Sequence, residues 1–231
     1  GQPAVIGHPD APASLEDGVA EKGARVLRAG RDYGWTRPKG DWVWEQGGTR
    51  HQLPAPGLAG AAQYENASAA IAALEALSDR LPVTESAMRE GLRRAQLAGR
   101  CQWIGEHPGV LVDVAHNPDA AESLRSYLDT LPREGRRLAV CAMLEDKDRE
   151  GVMEILAPAF DEWFVADLDV PRGGQGEDLA RALDKFGVSG VKAYDGPTSA
   201  YRAALGSAGD VDDIVVFGSF YTVAEVLETK E

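Results

Sequence analysis

The chain has 231 residues and a mass of 24.7 kDa, enough for one large domain or two small ones around a real core. Hydrophobic residues at 44% and charged residues at 26% are ordinary for a globular protein, and no apolar run approaches the roughly 20 residues that cross a bilayer. A net charge of −13 excludes broad nucleic-acid binding, which needs clustered Lys and Arg, and two cysteines, Cys101 and Cys141, exclude a disulfide scaffold, so a soluble cytoplasmic protein is expected.

Gln2 to Gly7 already reads as a strand, with no charged or apolar leader before it. A chain that opens at Gly1 and enters a strand directly is expected to be cut from something longer. Ala13 to Lys22 reads as a helix and Arg25 to Ala29 as a second strand. Trp35 to Gln52 carries two short β-like stretches around the turn signals Pro38-Lys39-Gly40 and Gly47-Gly48. The tryptophans there, Trp35, Trp42 and Trp44, suit packing between paired strands better than stacking on a ligand. After the Pro/Gly-rich loop Leu53 to Gly60 come two helices, from about Gln63 to Leu77 and from Thr84, its N-cap, to Gln96.

A domain boundary is expected near residues 79–83, or slightly later if the second helix is a linker, giving domains of 1–80 and 81–231. Charge divides unevenly across it. Residues 1–80 carry 8 basic and 10 acidic side chains, net −2, and the remainder 16 and 27, net −11. An anionic ligand of the second part therefore needs local cations to hold it.

The second part alternates more regularly. Strands are expected at Gly109–Val114, Leu138–Met143, Glu162–Ala166, Gly190–Ala193 and Ile214–Phe217. Between them the spacing predicts helices at Pro118–Thr130, Asp148–Ala157, Glu177–Phe186 and Thr198–Leu205, with a last one from about Tyr221 to Glu228. Gln102-Trp103-Ile104 adds an edge strand. Apolar, β-branched strands alternating with helices imply α/β: a Rossmann-like, doubly wound and mainly parallel sheet, covered on both faces.

Open α/β sheets bind ligands beyond the carboxyl ends of their strands. Three turns lie there: Ala115-His116-Asn117-Pro118, Glu145-Asp146-Lys147-Asp148 and Gly218-Ser219-Phe220-Tyr221-Thr222. Together they offer an imidazole, an amide, an ammonium and a hydroxyl, a seat for an anion. Each has a plainer reading. Asn117 before Pro118 and Ser219 before the last helix are good N-caps in their own right. Lys147 between two aspartates resembles a solvated charge, and His116 suits a supporting role as well as a contact. Asp113, inside a buried strand, must be paired or functional. Arg172-Gly173-Gly174-Gln175-Gly176 lacks dinucleotide-loop spacing and reads as a mobile loop. The remaining histidines, His8, His51 and His107, are isolated, and no spacing of His, Cys and carboxylates suggests a metal site.

In order, Gly99-Arg100-Cys101-Gln102, LVDVAHNPDA, MLEDKD and VVFGSFYTVAEVL resemble the folylpolyglutamate synthase/dihydrofolate synthase branch of the Mur ligase superfamily. LPAPGLAGAAQYENASAAIAALEAL resembles the end of that family's central ATPase domain, so the likeness spans nearly the whole chain. The resemblance implies an ATP- and magnesium-dependent ligase of folate biosynthesis and one-carbon metabolism. Such enzymes phosphorylate a carboxylate of dihydropteroate or a folate, and the amine of L-glutamate displaces phosphate from the acyl phosphate. It implies a monomer with no nucleic-acid or membrane partner.

The resemblance also implies roles by position. Gln63 and Asn66 match amides that contact adenine, Arg100 an arginine that reaches the ATP phosphates, and Asp113 and His116 the ribose side of the nucleotide site. Asn117, Lys147 and Ser219 fall where relatives hold the incoming amino acid, with Lys147 pairing a carboxylate; Tyr221 and Thr222 line the same seat. His116 and Lys147 are the catalytic candidates. Ala62 stands where many relatives have a histidine. The family's phosphate loop, magnesium ligands and most of the folate pocket lie upstream of this sequence, so the chain is expected to be inactive alone. Two alternatives stand beside it: a Mur ligase acting on a peptidoglycan precursor, which shares the architecture although the GSFYTVAEVL and AHNP-to-DKD wording fits the folate branch better, and a non-catalytic nucleotide-binding module that never had a phosphate loop.

Overall fold

Pro3–Ile6 (β1) and Arg25–Arg28 (β2) pair in parallel, joined by the helix Ala13–Glu21 (α1). Arg28 fastens that helix, its guanidinium 3.1 Å from Glu16. They open the first of two units, residues 1–96 and 97–231, in a computed structural model that describes residues 2–37 and 41–229. Where two β-like stretches are expected, three antiparallel strands form: Tyr33–Thr36 (β3), Trp42–Gln46 (β4) and Thr49–Leu53 (β5). Gly47 and Gly48, at φ 54° and 92°, make the two-residue turn between β4 and β5, a conformation that side chains with a Cβ rarely adopt. The expected turn at Pro38-Lys39-Gly40 lies outside the described residues.

Helix Ala62–Ala76 (α2) packs its buried side, Tyr64, Ala67, Ile71 and Ala72, with Trp42, Trp44 and Leu53. Both inner tryptophans are fully buried, and each indole N–H finds a carbonyl, Trp42 on Pro54 at 2.7 Å and Trp44 on Ser68 at 3.1 Å. Trp35 stacks on Tyr64 with centroids 5.3 Å apart. Packing is thus what these tryptophans do. Helix Glu85–Arg94 (α3) belongs to the same core through Met88, and Thr84 caps it, accepting from the Ala87 N–H at 3.2 Å.

The second unit is the α/β sheet. Its strands are Gln102–Glu106 (β6), Gly109–Val112 (β7), Arg137–Cys141 (β8), Glu162–Ala166 (β9), Lys192–Tyr194 (β10) and Asp213–Phe217 (β11). They lie in the order β10-β9-β8-β11-β7-β6, all parallel except the antiparallel edge strand β6. The helices are Pro118–Thr130 (α4), Arg149–Leu156 (α5), Gly176–Lys185 (α6), Pro197–Ser207 (α7) and Phe220–Glu228 (α8). Alternate strand residues separate into two cores. Leu111, Ala139, Cys141, Val165, Val215 and Phe217 meet α4, α5 and α6. Val110, Val112, Leu138, Val140, Ile214 and Val216 meet α7 and α8.

This two-sided burial is why the strands read as continuous apolar runs. Each Val, Leu, Ile or Phe among them contributes roughly 1.5–3 kcal/mol through the apolar surface it removes from water. From β7 the chain steps outward through β8, β9 and β10, then returns to place β11 between β7 and β8. Among the described residues no helix is long and apolar enough to cross a membrane.

Candidate functional site

The carboxyl ends of β7, β8 and β11 bring the three predicted turns together. Asp113 N–H bonds Val216 O at 2.9 Å, joining the first turn to β11. Thr222 Oγ1–H bonds Ala142 O at 2.7 Å, joining the third turn to the end of β8, from which the second turn follows. A Cβ on Gly151 would lie 3.0 Å from Pro118 Cγ, so the first turns of α5 and α4, which follow the Lys147 and Asn117 turns, abut.

The expected strand Gly109–Val114 ends at Val112, and Asp113, just past it, is buried all the same. Its Oδ1 accepts from the Ala115 N–H at 2.8 Å and its Oδ2 from the Cys101 N–H at 2.9 Å, with the Cys101 thiol at 3.4 Å. The carboxylate thus ties the segment before β6 to the end of β7. Burial pushes its carboxyl up, while these donors and the Arg100 charge pull it back. A carboxyl raised on folding is one whose ionised form the fold disfavours, so its burial weakens the fold as pH rises through the carboxylate range. In Asp113→Asn one backbone donor faces an NH2 group, and a net loss of about 1–2 kcal/mol is expected in urea unfolding at neutral pH. An unchanged midpoint would count against the pairing role. Cys101, a free cysteine to which the sequence assigns no role of its own, holds this carboxylate from a left-handed backbone at φ 43°.

His116 is oriented by its own backbone. Nδ1 lies 2.8 Å from Val114 O, and a carbonyl only accepts, so Nδ1 carries the proton and the neutral ring keeps Nε2 as an acceptor. Asn117 caps α4, its Oδ1 accepting from the Ala120 N–H at 2.9 Å, which leaves its NH2 to donate. Arg100 sits with its guanidinium 6.0 Å from the centroid of the exposed Phe220 ring.

Ser219 is a buried cap. Its Oγ accepts from the Thr222 N–H at 3.0 Å and lies 2.7 Å from Thr222 Oγ1. Since the Thr222 proton goes to Ala142 O, the Ser219 proton goes to Thr222, and Ser219 can offer a ligand only a remaining lone pair. Thr222 is wholly buried, and its hydroxyl is occupied between Ser219 and Ala142. Tyr221 is exposed.

Lys147 is half-buried, and its ammonium has no carboxylate within ion-pair distance among the described residues. The loop expected to be mobile, Arg172 to Gly176, is tied to this turn: Glu145 N–H bonds Arg172 O at 2.9 Å and Gly174 N–H bonds Met143 O at 3.0 Å. Nothing in the sequence pairs those two segments, because the contact is between backbones.

In the first unit, Gln63 and Asn66 share the opening turn of α2, with the Asn66 amide donating to Gln63 Oε1 at 3.2 Å. They border a cavity of about 370 Å³ whose other walls are apolar, including Leu58, Ile71, Leu74 and Leu92. A flat heteroaromatic base fits such a place, its body against the aliphatic walls and its edge on the two amides. Among the described residues no group of three or more His, Cys, Asp or Glu is placed to hold a metal ion.

Residues 99–220 match the family model described as Mur ligase, glutamate ligase domain. The dihydrofolate synthase/folylpolyglutamate synthase of Escherichia coli K12 is 40% identical over 98% of this chain and 51% of its own length. That of Haemophilus influenzae is 33% identical over 96% of this chain and 54% of its own. Among solved structures, E. coli FolC in complex with DHPP and ADP has a TM-score of 0.88 at 38% identity, covering all of this chain and 53% of that one. The bifunctional enzyme from a structure with Mn, AMPPNP and L-glutamate bound has a TM-score of 0.89 at 36% identity, covering all of this chain and 53% of that one. The chain therefore spans about half the length of the relatives it matches.

Proposed function

This chain belongs to the Mur ligase family, whose glutamate-ligase domain it carries, and from that premise we propose that it works in an ATP-dependent ligase that adds L-glutamate to dihydropteroate or to a folate. On this reading the first unit is the tail of the central ATPase domain and the second is the domain that receives the amino acid. A carboxylate resists amines until one of its oxygens becomes a good leaving group. Phosphoryl transfer from ATP to the pterin-side carboxylate provides that; the glutamate amine then forms the amide bond and inorganic phosphate departs with the C–O electron pair.

This chain's own residues position and orient. Gln63 and Asn66 receive the base, and Arg100 faces the phosphates. Asp113 holds the segment that carries Arg100 and, with His116, takes the ribose side. Lys147 pairs a carboxylate of glutamate, with the Asn117 amide and Ser219 beside it. ATP supplies the phosphoryl group, and the magnesium ligands belong to the upstream half. The protein acts in the cytoplasm, as a monomer.

The observation that carries the reading is the unpaired Lys147 just ahead of α5, whose first turn abuts the start of α4 behind the Asn117 cap, in a family whose domain is named for glutamate. The test is ADP release by the upstream-extended protein with Mg-ATP and L-glutamate, varying only the acceptor. Release that depends on dihydropteroate or a reduced folate supports it. Release only with a peptidoglycan precursor, or with no acceptor at all, overturns it.

A further inference from the structure

The turn that bears Lys147 has five charged side chains in succession, Glu145 to Arg149. All but two are already committed. Asp148 caps α5, accepting from the Gly151 N–H at 2.9 Å. Arg149 pairs with Asp178 at 3.1 Å. Asp146 pairs with Arg172 at 2.7 Å. Glu145 is exposed to solvent, which leaves Lys147 as the half-buried charge without a partner.

Arg172 reaches Asp146 because its loop is docked on the turn backbone to backbone. Leu144 and Gly173 form a bridge flanked by the Glu145–Arg172 and Gly174–Met143 hydrogen bonds. A side chain at 174 would block that approach, since a Cβ there would sit 2.4 Å from Met143 O, whereas one on Gly173 would strike Leu168 O at 1.8 Å within its own loop. Gly174 is explained by this contact and Gly173 by the tight fold of the loop itself, and Arg172, at φ 63°, is the charged side chain the docked loop delivers.

We propose that Arg172 is a positioning residue for the amino-acid substrate: by holding Asp146 it keeps the adjacent carboxylate off Lys147 and leaves that ammonium for the carboxylate of the incoming amino acid. The proposal rests on the glutamate seat assigned to Lys147 above. Without Arg172, Asp146 becomes an intramolecular competitor one residue away, always present at high effective concentration. Each binding event must then displace it.

The experiment measures KM and kcat for L-glutamate in the upstream-extended enzyme. Arg172→Gln is expected to raise KM for L-glutamate roughly three- to tenfold, as the charge spacing and exposure of the pair imply, with KM for ATP unchanged. Adding Asp146→Asn should bring KM back to within about twofold of the parent, because the competitor is gone. Adding Glu145→Gln restores the same net charge but removes no competitor, and should not rescue. An unchanged KM in Arg172→Gln, no rescue by Asp146→Asn, or equal rescue by Glu145→Gln overturns the proposal. Lys147→Ala, run alongside, separates the two levels. If it raises KM and Arg172→Gln does not, the positioning role alone fails; if it leaves KM unchanged, the glutamate seat fails and the positioning role with it.

Discussion

Lys147→Ala is expected to raise KM for L-glutamate by about 30- to 100-fold in the complete enzyme, equivalent to roughly 2–3 kcal/mol. The size follows from the environment. An exposed lysine with a carboxylate neighbour would add little, since pairing a substrate would only exchange one ion pair for another. Lys147 is half-buried, and the carboxylates on either side of it are engaged by Arg172 and by the Gly151 N–H. Its desolvation is therefore partly complete before substrate arrives, and a carboxylate gains a charge-assisted bond without displacing a rival. KM for ATP should move less than about twofold, because the base and phosphates are held by other residues. Steady-state kinetics with glutamate and ATP varied in turn reads both quantities. A rise in the ATP requirement alone would place Lys147 on the nucleotide side of the site.

Gly218→Ala should cost about 3–5 kcal/mol, a large share of the roughly 5–15 kcal/mol that holds a domain folded. Two penalties combine there. The residue has φ 114°, a conformation L side chains rarely adopt, and a Cβ would lie 2.5 Å from Ala142 O and 2.9 Å from Met143 Cγ. The first obstacle is backbone and cannot rotate away. Gly187 provides the comparison, because it has φ 78° but open space around its missing Cβ. Gly187→Ala should thus carry the backbone cost alone, about 1 kcal/mol. Hydrogen exchange across β8 and β11, followed in both variants, separates strain from collision. Equal protection in the two would show that the turn after β11 yields to admit a methyl group.

Much of the second unit is legible in its residues because strands buried on both faces leave a strong record. RLAVC, EWFVA and DIVVF are apolar at almost every position, and each forms a central strand where expected. The caps were legible for the same kind of local reason: Asn117, Ser219 and Thr84 each accept from the backbone N–H three residues on. Tyr33–Thr36 was harder to see. Its buried member, Tyr33, bonds Ile6 O at 3.0 Å, a partner 27 residues away that no local pattern indicates.

The site divides along the same line. Positions of His116, Asn117 and Lys147 follow from strand ends, which sequence periodicity marks. What holds them does not. Asp113 is supported by Cys101 from before β6, and the Lys147 turn by a loop that follows β9. Those supports are made by backbone groups, which every residue has, so composition cannot single them out. Only the glycines at 173 and 174 left a trace, and their spacing suggested looseness where the first permits a tight loop and the second close docking.

The placement of β11 has a consequence for biosynthesis. Asp213–Phe217 is the last strand of this sheet to be translated, yet it pairs with both β7 and β8. Until it leaves the ribosome, neither of those strands has its inner neighbour, and each offers an open hydrogen-bonding edge beside exposed Leu and Val side chains. A nascent chain in that state is a natural client for holding chaperones, and a premature stop ahead of Asp213 would release a product with a gap at the centre of its sheet.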